Sequence, residues 1–241
     1  MTLLGCPFFI IGCDESHFLF KFGKFTLGIF TIFQYPFHFF SYDMKNVALL
    51  LSAMSLGLTV EAQVKIPAPE IQIKAAVLAA PEATRGGAKV YGYDSQGTFV
   101  VLREGSNDMI CLADDPNNPS FSVSCYPKEL EPFMERGRRL KEEGKSFKEI
   151  FDQREEEVKN NKLQMPVDGT TLFVFYTNDQ SAFDSETGEV KGGNFRYVVY
   201  IPYATAESTG LPLSPEVPGM PWIMDPGTHR AHIMINPPVD K

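Results

Sequence analysis

Leu130–Asn160, LEPFMERGRRLKEEGKSFKEIFDQREEEVKN, is the stretch whose reading decides the fold. Leu130, Phe133, Met134 and Leu140 recur at helical spacing along Leu130 to Glu143, and Pro132 falls in the first turn, where a missing N–H costs least. Gly144 stops that helix. Ser146 and Glu149 then form a capping box: the hydroxyl satisfies an orphan amide and the carboxylate reaches back. The second helix runs from Phe147 to Asn160, with Phe147, Ile150, Phe151 and Val158 on its apolar side. Glu129, Arg136, Arg138, Arg139, Lys141 and Glu155–Glu157 supply charge of both signs, which reads as a solvated face laced with i,i+4 pairs.

Outward from this helical hairpin the period changes to two. Lys89–Tyr93 and Thr98–Arg103 read as strands joined by the turn Asp94–Gly97; Met109–Ala113 and Phe121–Tyr126 follow, the last alternating at Phe121, Val123 and Cys125. Connections this short suggest an antiparallel meander. Glu70–Ala80 precedes it as a helix with Ile73, Val77 and Ala80 on one face, ended by Pro81. Beyond the hairpin, Thr171–Thr177 is apolar on both faces and reads as a central strand. Phe195–Tyr203 is a second strong strand that Pro202 ends. Residues 205–228 are rich in Pro and Gly, and Ala231–Ile235 reads as a last short strand. The fold class is therefore α+β, an antiparallel sheet with a helical hairpin packed on one side.

Upstream, Met44 to Ala62 has the parts of a secretory signal peptide: a short basic head at Lys45, an uncharged apolar run from Val47 to Leu58, and small residues at Val60 and Ala62 before Gln63. The run is shorter than the ~20 residues a membrane span needs. Cleavage is expected between Ala62 and Gln63. Residues 1–43 hold eleven of the 20 Phe residues and read as a spurious N-terminal extension, with translation starting at Met44. What remains, residues 63–241, is one domain in size. It carries 19 Lys and Arg against 26 Asp and Glu, a balance that argues against nonspecific nucleic-acid binding. No second long apolar run follows Leu58, so no membrane span is expected in the mature chain.

Cys111 and Cys125 are the two cysteines of the mature chain, and an even number in an oxidising compartment predicts a disulfide. Inside that loop, Asp114 and Asp115 supply oxygen ligands of the kind a hard cation takes, although Asp, Asn and Pro at 114–119 are also what a turn selects. Asp225, His229 and His232 lie in one segment with the single Trp, Trp222. They offer a general base with its orienting carboxylate, or two ligands of a metal site. Tyr176, Asp179, Tyr197, Tyr200 and Tyr203 cluster around the two strong strands, an aromatic set that suits ligand binding or the packed face of a sheet. No cofactor is called for.

Leu102–Asn107 leading to Cys111–Pro116, then Leu130–Met134, then Trp222–Met234, resemble segments of uncharacterised exported bacterial proteins. The resemblance implies a periplasmic or secreted bacterial protein and supplies no active site. The expected role is non-catalytic binding of a small ligand or an envelope protein through the Pro-rich region. The alternatives are an exported hydrolase or metal-dependent enzyme using Asp225, His229 or His232, and an accessory subunit of an envelope assembly.

Overall fold

The computed structural model describes residues 65–238, which all belong to one compact unit. The extension 1–43, the signal sequence 44–62, the Ala62/Gln63 cleavage site and Cys6 and Cys13 lie outside the described residues. Among those described, eight strands make one sheet: β1 Lys89–Tyr93, β2 Phe99–Arg103, β3 Met109–Leu112, β4 Ser122–Pro127, β5 Thr170–Tyr176, β6 Asn194–Tyr200, β7 Trp222–Met224 and β8 His232–Ile235. Their spatial order is β2-β1-β3-β4-β5-β6-β8-β7. The helices are α1 Pro69–Ala76, extended by a 3-10 turn at Val77–Ala79, then α2 Glu82–Arg85, α3 Glu131–Glu142, α4 Phe147–Lys159 and α5 Ala206–Thr209. The class is α+β.

The meander expected for the first four strands is corrected at one pairing. β1 and β3 are parallel, with Val90 opposite Cys111, and β2 lies on the far side of β1. The chain leaving β2 must therefore pass the end of β1. Gly105 makes that passage: a Cβ there would sit 2.8 Å from the Lys89 backbone nitrogen. The carbonyl of Gly87 accepts from the amides of Ser106 and Asn107, which holds the crossing segment down. Asn107 completes it, donating to Thr84 O and accepting from Met109 N.

The sheet is covered on both faces. On one, α1 presents Ala75, Ala76 and Ala79, small enough to bring the helix onto Val90, Cys111, Val123 and Cys125. Buried Gln72 ties α1 to the end of β1, donating to Tyr93 O at 2.7 Å and accepting from Tyr93 N at 2.8 Å. Cys111 and Cys125 are directly opposite on β3 and β4, their Cα atoms 4.1 Å apart, and are disulfide-bonded.

The helical hairpin packs on the other face, against Tyr126, Leu172, Val174, Val198 and Tyr200. The capping box at Ser146 and Glu149 forms. Some of the hairpin charge does more than face water. Glu157 takes the Arg136 guanidinium with both carboxylate oxygens, clamping α4 to α3. Arg138 donates to Glu131 and to the Tyr126 hydroxyl, fastening α3 to β4. Phe147, read as part of the packed side, is 49% exposed, with the Arg230 guanidinium over its ring. The residue α4 buries instead is Arg154.

Candidate functional site

The Pro-rich segment is less irregular than its composition suggests. Thr205 caps α5, Gly210 ends it in the left-handed region, and Pro212 accepts from Ile223 N along the outer edge of β7. The chain then turns at Asp225 (φ 50°) and Gly227 (φ 75°) and enters β8. Tyr203 (φ 63°) faces this turn, donating its amide to Thr228 O, while Gly227 donates to Ala204 O. Two non-glycine residues in the left-handed region cost of order 1–3 kcal/mol each, so the surrounding contacts must over-determine them.

His229 supplies one such contact. Its side chain has no exposure; its backbone N–H and Nδ1 both meet Glu155 Oε2 on α4, at 2.8 and 2.5 Å. The ring lies edge-on to Phe133 and Phe151. Burial lowers the His229 pKa and outweighs the opposing pull of Glu155. Burial pushes Glu155 up, but hydrogen bonds from Lys159 and His229 outweigh it and hold its carboxyl below the usual range. With Nδ1–H given to the carboxylate, Nε2 is left for a partner, and among the described residues it has none.

His232 is buried on β8, its Nδ1 donating to Arg230 O at 2.7 Å, and burial lowers its pKa. Asp225 turns to Arg230 at 3.5 Å rather than to either imidazole. Beside them, Arg154 lies beneath α3, where Gly137 leaves room for its guanidinium; a Cβ at 137 would fall 2.8 Å from Nη1. Arg154 stacks 4.0 Å over Phe133, donates to Phe133 O and has its pKa lowered to about 10, chiefly by burial. The structure thus buries His229 and His232 against different partners and leaves Asp225 partly exposed beside Arg230, so the three sequence candidates do not form a triad. A carboxylate orienting an imidazole through Nδ1 is the arrangement of a general base, but Nε2 here is sealed against Phe133 and Phe151.

Asp114 and Asp115 do not converge. Asp114 accepts from Ser122 N and Gln180 Nε2, and burial raises its pKa to about 6. Asp115 closes a turn by accepting from Asn117 and lies 3.6 Å from Lys141. No group of three or more His, Cys, Asp or Glu suited to a metal occurs among the described residues.

The open feature of this region is a cleft of about 410 Å³ between residues 215–219 and 236–238. Tyr176, Asn194 and Trp222 form its inner wall, Pro215, Pro218 and Pro238 its flanks. Gly219 lets the two flanks meet, since a Cβ there would fall 3.1 Å from Pro238. Arg196, 2% exposed, organises the wall from behind. Its Nε donates to Asn236 Oδ1 at 2.7 Å, Nη2 reaches the Tyr176 hydroxyl at 3.4 Å, and the guanidinium stacks 4.8 Å from that ring.

Of the aromatic set read from sequence, only Tyr176 lines this cleft. Tyr200 is buried behind the hairpin, Tyr203 is exposed at the strained turn, and Asp179 caps the turn at 180–182. Tyr197 lies on the opposite sheet face beside Phe195. Sequence reasoning missed Glu155, Arg154, Arg196 and Asn236. Arg154 had a signal, because it continues the stripe of Ile150, Phe151 and Val158 on α4. Glu155 had none, lying 74 residues from His229.

Compared with protein-family models, curated proteins and solved structures, the chain matches nothing.

Proposed function

We propose that this is an exported, non-catalytic protein that binds a ligand or partner through the cleft of its Pro-rich C-terminal region. The observation that carries the reading is the contrast between the two parts of that region. His229 is packed under the hairpin, His232 is buried on β8 and Asp225 is partly exposed beside Arg230, while the cleft is an open groove of about 410 Å³ walled by aromatic and proline rings with a few polar groups. Export is supported by the sequence from Met44 to Gln63 and by the disulfide, a bond that persists in oxidising compartments. Among the described residues no helix is long and apolar enough to cross a membrane. Periplasm and secretion are both consistent with these features.

The enzyme reading draws on one observation, the Glu155–His229 pair, and requires the hairpin to lift from His229 before Nε2 meets a substrate.

Native mass spectrometry of protein isolated from its own host tests the binding reading. A bound species present on the wild type and lost from Val217→Asp, a change at a 59% exposed cleft residue, supports it. A bound species that Val217→Asp retains overturns the assignment to this cleft.

A further inference from the structure

We infer that α4 is a strap latched to the 225–230 turn through His229 and Arg230, and that acid releases it. The latch runs along one stripe of α4, at residues four apart. Phe147 sits beneath the Arg230 guanidinium, Phe151 lies edge-on to the His229 ring, and Glu155 accepts from the His229 backbone N–H and Nδ1. A second stripe faces α3, where Arg154 donates to Phe133 O and Glu157 clamps Arg136. The two helices differ in their anchorage. α3 buries Phe133 and Leu140, whereas no apolar side chain of α4 is fully buried; Ile150, Phe151 and Val158 are half-buried. α4 can therefore pivot on its α3 seam by giving up the stripe at 147, 151 and 155, a local opening rather than an unfolding. The turn it holds carries Asp225 in the left-handed region and faces Tyr203, which is also left-handed, strain that opening can relieve.

The trigger follows from what surrounds His229. From α4 it meets Arg154 and Glu155, whose carboxylate also takes Lys159; from α3 it meets only the Phe133 ring. From its own segment it meets Arg230, to which Asp225 is turned, and beyond Arg230 lie the Tyr200 hydroxyl of β6 and His232 of β8. A proton added at Nε2 becomes a donor with no acceptor among the described residues, beside two guanidinium groups. Once α4 has moved, that N–H reaches water. The open state thus binds the proton more tightly, and opening gains up to about tenfold per pH unit as pH falls below about 6.5. Glu155, held below 4.5 by its hydrogen bonds, stays mostly ionised down to about pH 5, so the interval above that reports on the imidazole.

Hydrogen exchange of the full chain, read by mass spectrometry and divided by the intrinsic rate at each pH, is the test. Amides of α4 should be less protected than those of β5, and α4 protection should fall up to about tenfold per unit between pH 6.5 and 5. Equal protection in α4 and β5 would mean that α4 opens only with the whole fold, which overturns the strap. A flat α4 profile overturns the acid latch. His229→Asn, whose side-chain amide can donate to Glu155 but does not titrate, should flatten that profile, and His232→Asn should leave it in place. A slope that survives His229→Asn, or one lost in His232→Asn, assigns the proton elsewhere and overturns the inference.

Discussion

Glu155→Ala should be the most damaging single change on the α4 surface. One oxygen, Oε2, accepts from two donors of His229, the backbone N–H and Nδ1–H, and both are buried. Deleting the carboxylate leaves two buried donors unsatisfied, at about 1–3 kcal/mol each, so the expected loss is about 3–5 kcal/mol. The i,i+4 pair with Lys159 adds little, since the lysine is largely in water. Glu155→Gln separates the causes. Its carbonyl oxygen can occupy the Oε2 position and keep both bonds, so the loss should be about 1 kcal/mol. Urea unfolding followed by Trp222 emission measures both variants in one assay, with the slope checking that the transition stays two-state. A loss below about 1 kcal/mol for the alanine variant, or equal losses for the two, would refute the claim that a shared acceptor holds the His229 turn.

Asp114 has a folded-state pKa raised to about 6 from 3.8, so the folded protein binds more protons than the unfolded chain across that interval and stability falls as pH rises through it. Asp114→Asn should remove that slope and raise stability at pH 7 by up to about 3 kcal/mol, with little gain near pH 4; Gln180 can supply its spare Oε1 by an amide flip. Unfolding midpoints at pH 4, 5, 6 and 7 check it, and an unchanged slope contradicts it. His229 and His232 act oppositely: their lowered pKa values make stability decline as pH falls below about 6.5. Replacing Cys111 and Cys125 together with alanine should cost about 3 kcal/mol on the chain-entropy model and abolish the effect of reductant on the urea midpoint. Gly193→Ala should cost about 1–3 kcal/mol, because its Cβ would overlap the Phe175 ring; Phe175→Leu should recover part of that loss in a double-mutant cycle.

Local chemistry was legible in the sequence. The hairpin, its capping box at Ser146 and Glu149, the stop at Gly144 and the inward alternation of Phe121, Val123 and Cys125 all depend on neighbours within a few residues. Pairings that close over distance were not. The parallel partnership of β1 and β3 depends on Gly105 slipping past Lys89, and nothing in the local pattern distinguishes that glycine from one in an ordinary turn. Phe147 read as core because periodicity ranks residues by hydrophobicity, whereas α4 buries the stem and planar head of Arg154 on Phe133 and leaves Phe147 beneath Arg230. The same limit hid the cleft. Tyr176, Arg196 and Asn236 come from three strands or their ends and acquire a common chemistry only when β5, β6 and β8 lie side by side.

The most direct test of the central claim is photo-cross-linking in the native host, with the reactive side chain placed at Val217 in the cleft wall and, as control, at the fully exposed Val167. Binding through the Pro-rich cleft requires a discrete adduct from position 217 and none from 167. Adducts of equal yield and mass from both positions, or from 167 alone, would contradict it.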